Sequence, residues 1–185
     1  MKTTETLEQE LMRTSGAVGA GEAPELAPAA TSAGLVDVAY ALHDSPVGPL
    51  LVAATPRGLV RIAYVDVLGQ EVEHVLEQLA ARVSPRILAA PRRLDEDRRQ
   101  LEQYFNGKRK SFELPIDWRL CAGFGRRVLG ATARIPFGAL ATYKQVAAEA
   151  GSPRGSRAAG NALGANPLPI VVPCHRVVHS REAAG

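Results

Sequence analysis

The chain has 185 residues, 46% of them hydrophobic, and a net charge of +3, which points to one ordinary globular domain or two small ones and excludes a disordered chain. No apolar run approaches the roughly 20 residues needed to span a bilayer, and the acidic stretch Met1–Met12 lacks the apolar core of a secretory signal, so a soluble cytoplasmic protein with no membrane partner is expected. The two cysteines, Cys121 and Cys174, have neither zinc-site spacing nor the number for a disulfide framework, so two free thiols and no metal are expected.

Residues 1–34, rich in Ala, Gly, Glu, Pro and Thr, read as a flexible extension, with at most a short helix over Thr6–Met12. Three runs rich in Val, Leu, Ile and Tyr follow: Val36–Leu42, Pro49–Ala54 and Leu59–Val65. They are separated by the turn signals Ser45-Pro46 with Gly48 and Pro56-Arg57-Gly58, which predicts a three-stranded antiparallel meander. In Glu71–Val83, Val72, Val75, Leu76 and Leu79 recur at helical spacing, and a second helix is predicted from Arg92 to Phe105, ending at Asn106-Gly107. Leu114–Trp118 reads as an extended linker.

The remainder reads as helical. A helix is predicted over Gly123–Ala133, then a turn at Ile135-Pro136-Phe137-Gly138. Thr142 and Gln145 make a capping box that starts a helix over Tyr143–Ala150, which Gly151 ends. Ser152-Pro153 offers the N-cap and first residue of another helix, roughly Arg154 to Gly164. Two short helices joined by a tight turn, the second bearing arginines, have the layout of a helix-turn-helix. Charge supports a polyanion-binding face: residues 1–118 carry 13 Lys/Arg against 17 Asp/Glu, whereas residues 119–185 carry 9 against 2. The expected architecture is α+β, with an extension over 1–34, a small antiparallel sheet with helices over 35–116, and a helical domain over 117–185.

Pro167, Pro169 and Pro173 surround an apolar strand-like run that presents Cys174, followed by His175 and Arg176. A thiol attacks as the thiolate, which a neighbouring base or cation favours. Adjacent side chains in an extended run point to opposite faces, so coupling of Cys174 to His175 needs a water or a turn.

Pro173-Cys174-His175-Arg176-Val177, preceded by Asn166-Pro167-Leu168-Pro169-Ile170-Val171-Val172, resembles the active-site signature of the O6-alkylguanine-DNA alkyltransferases (methylated-DNA–protein-cysteine methyltransferases). The resemblance extends upstream through Phe124–Leu129, Ile135–Gly138, Tyr143–Ala147 and Ser156–Ala162, and in layout through Tyr104–Lys108, covering about residues 35 to 180.

The resemblance implies a ribonuclease H-like first domain and a single-turnover, self-inactivating reaction without a cofactor. A helix-turn-helix would enter the minor groove of double-stranded DNA, and the alkylated guanine would be flipped out because its O6 is inaccessible in the stack. It also implies a monomer. Cys174 then corresponds to the alkyl acceptor and His175 to a water-mediated base. Tyr143 corresponds to the residue that assists flipping and donates to the base, and Asn166 to the brace between loop and helix-turn-helix. Arg157 corresponds to the finger that fills the vacated stack. Arg154, Asn161 and Arg176 are expected among the DNA contacts, Pro169 and Val177 in the substrate pocket, with the carbonyls of Cys174 and Val177 as acceptors for the guanine amino group.

One departure is that only 11 residues follow Cys174. The family continues with a Gly-rich pocket loop and a helix whose glutamate orients the histidine, a role to which Glu182 is not matched. The chain as given is therefore expected to bind DNA but to transfer alkyl groups poorly. The alternative is an alkylguanine-sensing module without transfer, against which Cys174 itself argues.

Overall fold

Residues 36–65 and 70–180 are described by the structure, a computed structural model. The predicted extension over 1–34 and Glu182 lie outside them. Strands β1 (Val38–His43), β2 (Leu50–Thr55) and β3 (Gly58–Tyr64) form the expected antiparallel meander. The second turn is tight because Gly58, at φ 128°, lies so close to the linker that a Cβ there would sit 2.2 Å from the Pro115 carbonyl oxygen; only glycine fits.

Helix α1 (Gln70–Arg82) lays Val75 and Leu79 on a core of Val38, Leu51, Ala53, Val60 and Ala63, as its periodicity predicts. It is followed by β4 (Ile87–Ala89), which pairs parallel to β1 and gives the sheet order β3-β2-β1-β4. The sheet is thus mixed rather than wholly antiparallel. A crossover through α1 returns the chain in the direction of β1, and a three-residue strand carries too little alternation to be read from sequence. The helix predicted from Arg92 is split, with a 3₁₀ turn at Pro91–Leu94 before α2 (Asp95–Phe105). Asn106 caps α2, and Gly107 follows at φ 70°.

Strand β3 is an edge strand, and its outer amides are taken up by two other segments. Leu59 donates to the Pro115 carbonyl at 2.8 Å and accepts from the Asp117 N–H at 2.9 Å, while Ile62 donates to the Pro167 carbonyl at 2.8 Å. The switch from Leu59 to Ile62 is the work of a β-bulge: Ala53 pairs with Arg61 but Ala54 with Leu59, leaving Val60 as the extra residue. Buried Asp117 locks the linker to this edge, accepting from the Thr55 hydroxyl at 2.6 Å and from the Arg119 N–H at 3.1 Å, and pairing with the Arg119 guanidinium. Burial by itself would raise its pKa, but those partners together hold it below the usual carboxylate value.

In the second half α3 spans Gly123–Ala133, as predicted. It approaches α5 (Ser156–Gly164) closely: a Cβ at Gly125 would lie 3.8 Å from that of Ala162. Helix α4 (Tyr143–Glu149) begins with the predicted capping box, in which Thr142 Oγ1 accepts from the Gln145 N–H and the Gln145 side chain from the Thr142 N–H. The start of α5 differs from expectation. Ser152 does not cap it; its carbonyl instead accepts from the Gly155 N–H at 2.8 Å, closing a turn that leaves Pro153 and Arg154 ahead of the helix.

Candidate active site

Residues 165–173 form an irregular loop, not the strand-like run expected from its apolar content. Its proline nitrogens cannot donate to a ladder, and several of its other polar groups are paired within the loop. Asn166 is the centre of this: its Nδ2 donates to the Val172 carbonyl at 2.9 Å, and its Oδ1 accepts from the Leu168 N–H at 3.0 Å. The loop also closes on itself through Val172 N–H to the Leu168 carbonyl, 2.8 Å, and is tied to β3 through Pro167. Ile170 stands at φ 74°, a left-handed conformation that a β-branched residue adopts only when its surroundings impose it.

Cys174, His175 and Arg176 make one turn of 3₁₀ helix, and Val177 and Val178 then form β6, which pairs in parallel with β5 (Ala141–Thr142). Cys174 is half-buried and its thiol is free. In a 3₁₀ turn successive side chains fan out by about 120°, so the opposite-face geometry expected of an extended run does not apply to Cys174 and His175. The β5–β6 pairing sets the start of α4 beside the strand that leaves the cysteine turn. Tyr143 accordingly lies with its ring 5.0 Å from that of His179 and against Gly160 of α5.

His175 is exposed. The partial desolvation of its ring and the neighbouring Arg176 charge hold its pKa below the ordinary 6.5, so at neutral pH the imidazole is neutral and able to take a proton. Burial raises the Cys121 thiol pKa even though Arg126 and Arg82 oppose the shift, which disfavours its thiolate.

Arg176, expected among the DNA contacts, is 9% exposed and turned inward. Nη1 donates to the Ile135 carbonyl at 2.8 Å, Nη2 donates to the Tyr104 hydroxyl at 3.2 Å, and the guanidinium lies 5.4 Å from the Phe137 ring centroid. Its role is to fasten the cysteine turn to the end of α3 and to α2. Tyr104 falls on the apolar side of the predicted second helix, and nothing in that local pattern announces a contact 72 residues away.

Much of the basic charge near α3 is likewise used internally. The Arg126 guanidinium lies 3.8 Å from the Trp118 ring centroid, Arg127 donates to the Ala150 carbonyl at the end of α4, and Arg134 pairs with Glu149. The outward cations of the helix pair are Lys144, Arg154 and Arg157, all exposed, with Asn161 exposed one turn beyond Arg157 on the same side of α5. Arg154 sits in the turn before α5, not on the helix. Of the two predicted pocket residues, Pro169 is half-buried within the loop, and Val177 is buried in β6, its N–H donating to the Cys174 carbonyl.

A small mixed sheet followed by a helix pair, against which a braced loop displays one cysteine, defines a two-part α+β class of protein. Known proteins with this plan correspond in sequence. Residues 38–118 match the ribonuclease-like domain, and residues 123–185 the DNA-binding domain, of the 6-O-methylguanine DNA methyltransferases. The constitutive methylated-DNA–protein-cysteine methyltransferase of Bacillus subtilis is 33% identical over 144 residues, which cover 78% of this chain and 82% of that protein. The crystal structure of the Mycobacterium tuberculosis O6-methylguanine methyltransferase superimposes with a TM-score of 0.64 at 30% identity, covering 78% of this chain and 80% of the other. A structure of the same organism's protein in complex with DNA gives 0.62 at 30% identity, covering 77% and 80%. The chain belongs to the methylated-DNA–protein-cysteine methyltransferase family.

Proposed function

We propose that this chain repairs DNA by taking the alkyl group of O6-alkylguanine onto Cys174 in a single, stoichiometric event. The Cys174 thiolate attacks the alkyl carbon, a carbon–sulfur bond forms and the bond to O6 breaks. The electron pair leaves with the guanine, which gains one proton. No cofactor enters that balance. The thioether is not reversed by thiol exchange, so each molecule acts once.

The observation that carries this reading is the set of bonds around one half-buried cysteine: the Asn166 brace, the Pro167–Ile62 tie, and the β5–β6 pairing that brings Tyr143 alongside. Neutral His175 relays the thiol proton through water, and Tyr143 donates to the departing base. The helix pair α4–α5 enters the minor groove of double-stranded DNA as a monomer, with Arg157 filling the space of the flipped nucleotide and Arg154, Lys144 and Asn161 at the backbone. Residues 1–34, the sheet domain to about residue 116 and the helical domain beyond it act as separate parts in this scheme. No helix among the described residues is long and apolar enough to cross a membrane. A module that senses alkylguanine without transfer is the less favoured reading, since it leaves the displayed thiol without a task.

The test is exposure to a duplex labelled on the methyl group of O6-methylguanine, followed by peptide mass mapping. Label on the peptide carrying Cys174 is expected; label on Cys121 alone would overturn the assignment.

A further inference from the structure

The cysteine loop, the turn that follows α3, and the segment from Lys110 to Ile116 enclose a cavity of about 340 Å³, within the size range of small-molecule sites. Its walls are mostly apolar: Phe112 and Leu114 come from the segment after α2, Ile135 and Phe137 from the turn, and Ile170 and Val171 from the loop. Cys174 is not among them, so the cavity adjoins the loop that displays the thiol and not the thiol itself.

The charge of this cavity is one-sided. Lys110, Arg134 and Arg176 line it, and no carboxylate does. Arg134 is already paired with Glu149. Arg176 is not balanced in this way. It is 9% exposed, and its bonds run to the Ile135 carbonyl and the Tyr104 hydroxyl, both neutral. Among the described residues no Asp or Glu pairs with it or with Lys110. Burying a guanidinium without a counter-charge is costly, and neutral acceptors recover only part of the cost. Both cations also address one ring: Lys110 Nζ lies 5.7 Å, and the Arg176 guanidinium 5.4 Å, from the Phe137 centroid. The ring offsets their charge without neutralising it, and Phe137 is itself a large aromatic left 52% exposed.

We propose that this cavity binds a small organic monoanion, a carboxylate carried on a flat aromatic body. The carboxylate supplies the counter-charge that Arg176 and Lys110 lack, and the body packs on Phe112, Leu114 and Phe137. Because Ile170 and Val171 are walls, an occupant also backs the loop where Ile170 stands at φ 74° and opposes its local opening. None of this depends on alkyl transfer.

The experiment titrates the full chain by calorimetry with naphthoate, and with its uncharged amide, naphthamide. Saturable binding of naphthoate is expected, with a dissociation constant of about 1 mM or tighter for a body of this size. Naphthamide should bind at least about fivefold more weakly. Lys110→Gln, at an exposed position, should weaken naphthoate by about fivefold or more, and Lys110→Arg should restore it. Naphthoate should also slow amide hydrogen exchange at Ile170 to Val172, where the Val172 N–H bonds to the Leu168 carbonyl. No saturation by about 5 mM, equal affinity for acid and amide, indifference to Lys110→Gln, or binding that leaves exchange in the loop unchanged would each overturn the proposal. All four readouts are taken without DNA, so they are distinct from failure of the transfer reading, which shows as an unlabelled Cys174 after exposure to methylated duplex.

Discussion

The side-chain amide of Asn166 spans the cysteine loop, donating to the Val172 carbonyl at 2.9 Å while accepting from the Leu168 N–H at 3.0 Å. One residue thus satisfies a donor and an acceptor that no ladder reaches, in a segment whose flanking Leu168 and Val172 are fully buried. Asn166→Ala should cost about 1–3 kcal/mol, the usual penalty for leaving buried polar groups unpaired. Asn166→Asp should be no better, since it keeps the bond to Leu168 but sets a carboxylate oxygen against the Val172 carbonyl. Urea unfolding of the two variants decides this; an Asp variant as stable as the parent would mean that the Val172 bond contributes nothing.

A second expectation separates two arginines that look alike in sequence. Arg176→Ala removes bonds to Ile135 and Tyr104 from a buried guanidinium and should destabilise by about 2–4 kcal/mol, with little change in the salt dependence of DNA binding. Arg157→Ala, at an exposed position, should leave stability within about 0.5 kcal/mol of the parent. It should slow repair of a duplex far more than reaction with the free alkylated base. Equal losses on both substrates would assign Arg157 a structural role, and a reduced salt slope for Arg176→Ala would return that residue to the DNA surface.

These two residues show what could be read from the sequence and what could not. The capping box at Thr142, helix α3 and the core stripe of α1 depend on neighbours within one or two turns, and local patterns reveal them. Cys174 stood out through its motif, and the structure adds the brace and the turn that display it. The inward course of Arg176, the parallel β4 and the β5–β6 pairing depend on contacts between segments far apart in the chain, which no local period encodes. The bulge at Val60 belongs with them: a one-residue shift that exchanges the two faces of a strand leaves no compositional trace.

Ile170 supports a test of strain in the same loop. Glycine normally destabilises more than alanine by roughly 0.5–1 kcal/mol, because it loses more freedom on folding. At φ 74° that order should reverse, since a Cβ is what the left-handed conformation penalises. Ile170→Gly and Ile170→Ala both lose a side chain that is only 7% exposed, so both should be less stable than the parent. The glycine variant should nevertheless unfold at higher urea than the alanine one. The ordinary order, alanine above glycine, would show that the loop relaxes out of the left-handed region at no cost.

The pH dependence follows from the two histidines whose pKa values the fold lowers. For His175, partial desolvation and Arg176 favour the neutral ring. If it relays the thiol proton, single-turnover transfer should hold steady through neutrality and fall only as pH drops through a value below 6.5, and His175→Gln should lower the plateau and abolish that acid limb. For His43, burial is the main cause, with Arg98 adding to it and Glu102 and Asp44 opposing. A folded state that prefers the neutral imidazole gains stability that is fully present above 6.5 and is lost as pH falls from there through the lower folded value. Stability should therefore decline in the window that opens below pH 6.5, and His43→Gln should flatten the part of that decline due to this residue without touching the acid limb of transfer. Asp117, whose pKa is lowered instead, contributes stability that persists until pH falls below the ordinary carboxylate value of 3.8, so it adds nothing to the decline in that window. Urea midpoints and transfer rates measured across the same pH series separate the two effects. If His43→Gln moved the acid limb of transfer, the limb would report unfolding rather than His175, and the proton-relay role would fall.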